Sequence, residues 1–204
     1  MALARLQPDD LYAAIEEYVS IGRDLGDTVT IAGFSLGGLL AAWAAQHYAV
    51  EHAVAIAPFL GVSWIPGVAM RHVAELTLRI PNQFHWWNPH LRDRQMPDHG
   101  YPRYPTHAIG HMYRIAHKLL ADSKLHAPSA ERITLVSNAS EAAVNNAAIR
   151  RLYLNWREHA PEAVDLRVLR GFPPSHDIVE PLHHSGLAER AYPTLLEAID
   201  PNTS

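Results

Sequence analysis

Thr28-Val29-Thr30-Ile31-Ala32-Gly33-Phe34-Ser35-Leu36-Gly37-Gly38 decides how this chain folds. Its first five residues are β-branched or small and follow the break Gly26-Asp27, which reads as a short strand over 28–32. The Ala-, Leu- and Trp-rich run over 36–48 reads as a helix. Between them lies Gly-x-Ser-x-Gly, so the order is strand, sharp turn, helix. A serine on such a turn needs small neighbours, because a Cβ at Gly33 or Gly37 collides with the turn, and the geometry lifts the hydroxyl above the sheet edge. The helix that follows aims its first N–H groups and the positive end of its dipole at the place where an oxyanion forms. Ser35 is therefore the candidate nucleophile and the Leu36 amide a candidate oxyanion donor. The bland alternative is a Gly-rich turn that happens to contain a serine.

Working outward, residues 8–22 read as a helix, with Asp9 or Asp10 able to cap it and Leu11, Ile15, Tyr18 and Val19 at helical spacing. A continuously apolar strand over 53–57 stops at Pro58, as in a parallel sheet covered on both faces. From 60 to 130 the character changes. Seven of the 15 prolines fall between Pro58 and Pro105, and eight of the 14 histidines between His72 and His126, around helices read at 68–78 and 107–120. This stretch reads as an insertion. Alternation resumes with strands over 132–137 and 164–169 and helices over 142–159 and 187–199. Strands alternating with helices imply an α/β fold with a parallel sheet.

A serine needs a positioned base, itself oriented by an acid. After the strand ending near Ser137, Glu141 is the only carboxylate before the next helix is under way. After the strand ending near Leu169, His176 is the only histidine in its loop. Glu141 and His176 are the natural partners of Ser35. Glu141 also suits a first helical turn, where the dipole favours an acid and Ser140 would cap it. Asp177, next to His176, suits a loop-ordering or capping role better than that of the acid.

On these residues the chain resembles the α/β-hydrolase superfamily, especially bacterial serine esterases and lipases that carry a helical cap. Residues 33–38 resemble the nucleophile elbow, Glu141-Ala142-Ala143-Val144 stands where the family has Asp-x-x-Val, and Ser175-His176-Asp177 resembles its histidine loop. The resemblance implies Ser35 as nucleophile, His176 as general base and then acid, and Glu141, in place of Asp, as the orienting carboxylate. It divides the chain into 1–59 with the elbow, a cap at 60–130, and 131–204 with the acid and histidine. It also implies strands ahead of the elbow and a loop there that gives a second oxyanion donor. The chain is then expected to be the later part of a longer hydrolase, weakened or inactive by itself. The implied reaction is hydrolysis of a carboxylic ester through an acyl-enzyme; thioesterase and acyltransferase chemistry use the same groups. A dehalogenase would hold Asp at position 35.

The rest of the composition narrows the field. At 204 residues, 48% apolar and 19% charged, the chain suits one globular domain with a sizeable core. A net charge of -4 with no basic block argues against a nucleic-acid partner. Without cysteine there is no disulfide or thiolate metal site. Apolar runs at 39–45 and 53–60 are too short to span a membrane, and the N-terminus lacks an export pattern, so a cytoplasmic protein acting on a small-molecule ester is expected. No cofactor is called for. His107 and His111, four apart, could share a helix face with His117, His183 or His184 near them, but solvated histidines are the simpler reading and no metal is expected. Phe34, Phe59, Trp86 and Trp87, with Phe84, Tyr101 and Tyr104, either wall an apolar substrate pocket or pack the cap.

Overall fold

In the computed structural model the described residues are 2–87, 89–92 and 101–200, with 2 and 182–185 described by backbone alone. Helix α1 (Pro8–Leu25) leads to strand β1 (Thr30–Phe34), helix α2 (Leu36–His47) and strand β2 (His52–Ile56). Next come α3 (Met70–Arg79), the short strands β3 (Phe84–Trp86) and β4 (Arg103–Pro105), and α4 (Thr106–Leu125). Strand β5 (Arg132–Asn138), helix α5 (Asn146–His159), strand β6 (Val164–Leu169) and helix α6 (Pro181–Ile199) follow.

Four strands pair in the order β1-β2-β5-β6, every neighbour parallel, with Thr30 opposite His52 and His52 opposite Arg132. Side chains alternate across this sheet. Ala53, Ala55, Ile133 and Leu135 face a core built with α1, α2, α4 and α5, while Val54, Ile56 and Val136 face α6 through Ala191 and Leu195. Helices on both faces explain why β2 is buried at all five positions and reads as unbroken apolar sequence. The result is the α/β architecture expected from the sequence. Among the described strands β1 pairs with β2 alone and forms one edge.

Helix α2 lies close to the sheet because it is nearly all small or aliphatic, with Leu39, Ala42, Ala44 and Ala45 fully buried. Its Gln46, also buried, accepts from Trp156 Nε1 at 2.6 Å and donates to the Ala127 carbonyl at 3.1 Å, so a polar side chain in the core is satisfied from two sides. Helix α1 is capped differently from the sequence expectation. Asp10 is not the cap; its carboxylate accepts the Gln7 amide at 2.8 Å from inside the first turn. Between β2 and β5, β3 and β4 form a separate two-stranded antiparallel sheet that the proline-rich sequence did not announce. Helix α4 packs along α3 on one side and against α2 and α5 on another. No described helix is long and apolar enough to cross a membrane.

At the N-terminal ends of the strands His52 is 1% exposed. Its Nδ1 accepts from Arg132 at 3.1 Å, leaving Nε2 to donate to Thr134 Oγ1 at 3.0 Å, the arrangement of a neutral ring. Burial, then the Arg132 charge, holds its pKa down at about 4 against an ordinary 6.5. Below pH 6.5 the unfolded chain takes up a proton that the folded chain refuses until about pH 4, so stability falls as pH drops through that window. Between pH 7.5 and 5 this residue should remove about 2 kcal/mol. Urea unfolding at the two pH values should show that much less pH dependence in His52→Gln than in the parent; equal slopes would contradict the assignment.

Candidate active site

Ser35 sits between β1 and α2 with φ 55° and ψ −110°, a conformation that costs a non-glycine residue on the order of 1–3 kcal/mol. Neighbouring backbone holds it there. Its amide donates to the Ile56 carbonyl at 3.0 Å, and its carbonyl accepts from Leu39 at 2.9 Å and Phe59 at 3.0 Å. The loop leaving β2 thus clamps the turn. As the first residues of α2, Leu36 and Gly37 have amides with no carbonyl to bond within the helix.

The glycine requirement differs from the one read in the motif. A Cβ on Gly33 would stand 2.2 Å from the Gly37 carbonyl oxygen, as expected, but one on Gly37 would meet nothing within 4 Å. The second tight position is Gly38, whose Cβ would come within 2.7 Å of the Ile56 carbonyl oxygen and 3.0 Å of Pro58 Cα. Gly38→Ala should lower stability by about 1–3 kcal/mol and Gly33→Ala by at least as much. Gly37→Ala should leave stability equal or raise it by up to ~0.5 kcal/mol, since alanine is the better helix former. Thermal denaturation of the three variants reads this order, and finding Gly37→Ala the most damaging would overturn it.

Two loops at the same end of the sheet approach the serine. His176, after β6, places Nε2 2.8 Å from Ser35 Oγ, and Glu141, after β5, places Oε2 3.0 Å from His176 Nδ1. All three residues therefore follow the C-terminal ends of parallel strands, where open α/β sheets gather their ligand-binding groups. The Glu141 side chain is 1% exposed against 25% for His176. Burial pushes the Glu141 carboxyl up, but the hydrogen bond and charge of His176 and the amides of Ala143 and Val144 outweigh it, so its pKa lies below the ordinary value. Those amides donate to Oε1 at 2.7 and 3.4 Å, so each carboxylate oxygen is occupied. The Phe34 ring stacks on His176 at 4.9 Å between centroids.

Glu141 does not lie in a first helical turn with Ser140 as cap, the alternative the sequence allowed. Helix α5 starts later, capped by Asn145, whose side chain accepts the Ala148 amide at 3.1 Å. Asp177 Oδ1 accepts the Glu180 amide at 3.0 Å, just ahead of α6, as a loop-ordering residue would. Of the four aromatic candidates, Phe34 and Phe59 adjoin Ser35, while the contacts of Trp86 and Trp87 lie within the β3–β4 hairpin. Arg103 covers Trp86 at 5.0 Å, and Trp87 packs on Tyr104 at 4.2 Å. His107 contacts the Ile80 carbonyl at 2.8 Å and His111 is buried; among the described residues no three His, Asp or Glu side chains come together as a metal site. The side chains of His183 and His184 lie outside the described residues. Ser63 and Asn145, which belong to no recognisable motif, brace the acid loop. Ser63 Oγ donates to the Ala142 carbonyl, the Ser63 amide to that of Ala143 at 2.9 Å, and the Asn145 amide to that of Gly61 at 2.8 Å. Their only trace in sequence is polarity inside otherwise apolar stretches.

No protein-family model matches this sequence. No curated protein matches it in sequence either. Solved structures do match in shape. The chain superposes on a monoacylglycerol lipase of Paleococcus ferrophilus with a TM-score of 0.64 at 19% identity, over 92% of this chain and 76% of that one. For a structure of the metagenome-derived lipolytic enzymes LipS and LipT the TM-score is 0.65 at 16% identity, over 96% and 76%. A soluble variant of the monoglyceride lipase of Saccharomyces cerevisiae gives 0.62 at 11%, over 84% and 64%. With its four parallel strands, its serine turn ahead of α2 and its two later loops meeting there, this chain has the α/β-hydrolase fold.

Proposed function

We propose that the chain is a serine hydrolase that cleaves carboxylic esters through an acyl-enzyme. The observation that carries this reading is the unbroken series Ser35 Oγ, His176 Nε2, His176 Nδ1, Glu141 Oε2 at 2.8 and 3.0 Å, beginning at a strained serine. His176 Nε2 takes the hydroxyl proton as Ser35 Oγ bonds to the ester carbonyl carbon, then gives that proton to the departing alkoxide. A water attacks the acyl-enzyme in the same way, releasing the acid and restoring Ser35. Glu141 keeps the proton on Nδ1, so Nε2 is free to accept. The Leu36 amide, at the positive end of the α2 dipole, stabilises the oxyanion. Likeness in fold to lipases and the apolar faces of Phe34 and Phe59 support an acyl or aryl ester of moderate size, with residues 60–130 as a cap.

A fluorophosphonate probe tests the reading, because it phosphonylates only a serine activated by its neighbours. Peptide mapping should place the adduct on Ser35 in the parent, with none in Ser35→Ala and very little in His176→Ala. A folded parent that neither takes the probe nor hydrolyses p-nitrophenyl esters sinks the proposal.

A further inference from the structure

Asn138 is the last residue of β5 and is 2% exposed. Its side chain reaches both loops that meet at the serine. Nδ2 donates to the carbonyls of Pro173 at 2.9 Å and Ser175 at 3.2 Å, immediately before His176. Oδ1 accepts the amide of Ser140 at 3.1 Å, immediately before Glu141. The Asn138 main-chain carbonyl accepts the Glu141 amide at 3.1 Å and Asn146 Nδ2 at 2.8 Å. Neither loop, 139–145 or 170–180, contains a helix or strand; the first is held to the 61–63 segment by the Ser63 and Asn145 contacts and a Val62–Val144 bridge, but nothing among these ties it to the second. One buried carboxamide therefore spans them, touching the residue next to each member of the Glu141–His176 contact.

The chemistry of the group is specific to this task. Two carbonyl oxygens on one loop need two N–H donors, and an amide on the other needs an acceptor; of the short side chains only asparagine offers both in one plane. Aspartate has the same shape but would set an oxygen against the Pro173 and Ser175 oxygens. Alanine removes the partner of all three backbone groups at once and cuts the tie between the two loops.

We propose that Asn138 is a positioning residue: by tying the two loops it sets the Glu141–His176 separation, and so the tautomer and aim of the imidazole at Ser35. This rests on the reading of His176 as the base for Ser35. Asn138 touches neither the serine nor the ester, so its loss should misplace the ring without altering substrate binding.

The test uses Asn138→Ala and Asn138→Asp in the full chain. With sites counted by fluorophosphonate titration, kcat per titrated site should fall about 10–10²-fold with KM nearly unchanged, the size expected for a misplacement of about 1 Å. In the parent, the His176 Nδ1 proton held by Glu141 should give a far-downfield proton resonance, absent in His176→Ala. It should be lost or broadened in both Asn138 variants. A residue with a merely structural role would lower the melting temperature and the fraction of titratable sites, yet leave kcat per site and this resonance at parent values; that result overturns the proposal. Asn138→Asp, equal in shape, keeps the test open where Asn138→Ala fails to fold. Should the parent prove inactive, the esterase reading falls, while the resonance, which needs no turnover, still decides the role of Asn138.

Discussion

Replacing His176 by alanine is expected to lower kcat for a p-nitrophenyl ester by about 10⁴–10⁶-fold with little change in KM. The magnitude follows from the role proposed for the ring. An unassisted serine hydroxyl is almost wholly protonated at neutral pH, and the Nε2 lone pair 2.8 Å away is the group placed to remove its proton during attack. The Leu36 amide and the apolar surroundings remain in the variant, so a residual rate above that in water should persist. Non-additivity gives the sharper measurement. If serine and histidine act in one step as proposed, the double variant Ser35→Ala/His176→Ala should be no slower than either single one, within about threefold. Losses that multiply would show two independent contributions and would contradict the relay.

The sheet was legible because burial on two faces leaves a plain mark. The continuously apolar run 53–57 reads as a covered strand and lies one residue off β2 (His52–Ile56), while β6, only partly buried, matches its expected span from Val164 to Leu169. Element ends were less legible, since side chains decide them. The strand expected over 28–32 begins at Thr30 because the Val29 amide goes to the Glu51 carboxylate and not into the ladder. The helix expected from 142 begins at Asn146 because Glu141 captures the amides of Ala143 and Val144. Neither contact has a local signature, because Val29 and Glu51 are far apart in the chain and a glutamate before a helix ordinarily reads as part of its first turn. The serine motif was legible as a turn, yet spacing could not tell which glycine lacks room for a Cβ. That depends on how closely α2 approaches the end of β2, where Gly38 meets Ile56. The β3–β4 hairpin escaped for a similar reason: strands of three residues among prolines carry too little pattern to be read.

Glu141→Gln should be as harmful as, or worse than, Glu141→Ala, with kcat down about 10⁴-fold. The side chains are nearly the same shape, so the effect must come from protons. Oε1 faces two N–H donors, Ala143 at 2.7 Å and Val144 at 3.4 Å, and Oε2 faces His176 Nδ1. In glutamine the oxygen must keep the position before the two amides, since an NH₂ there would oppose both. The NH₂ then points at Nδ1 and makes that nitrogen the acceptor. The ring proton moves to Nε2, and the nitrogen beside Ser35 Oγ can no longer receive one. Alanine removes the carboxylate without imposing the wrong tautomer, leaving a fraction of rings able to act. Aspartate keeps the charge but is one methylene shorter, so it cannot hold both amides and still reach Nδ1, and a loss of about 10–10²-fold is expected. The order of kcat should therefore be Glu, Asp, Ala, Gln. Steady-state kinetics at pH 7 on folded variants reads it directly. A glutamine variant within tenfold of the parent would mean that the carboxylate packs beside His176 without setting its proton.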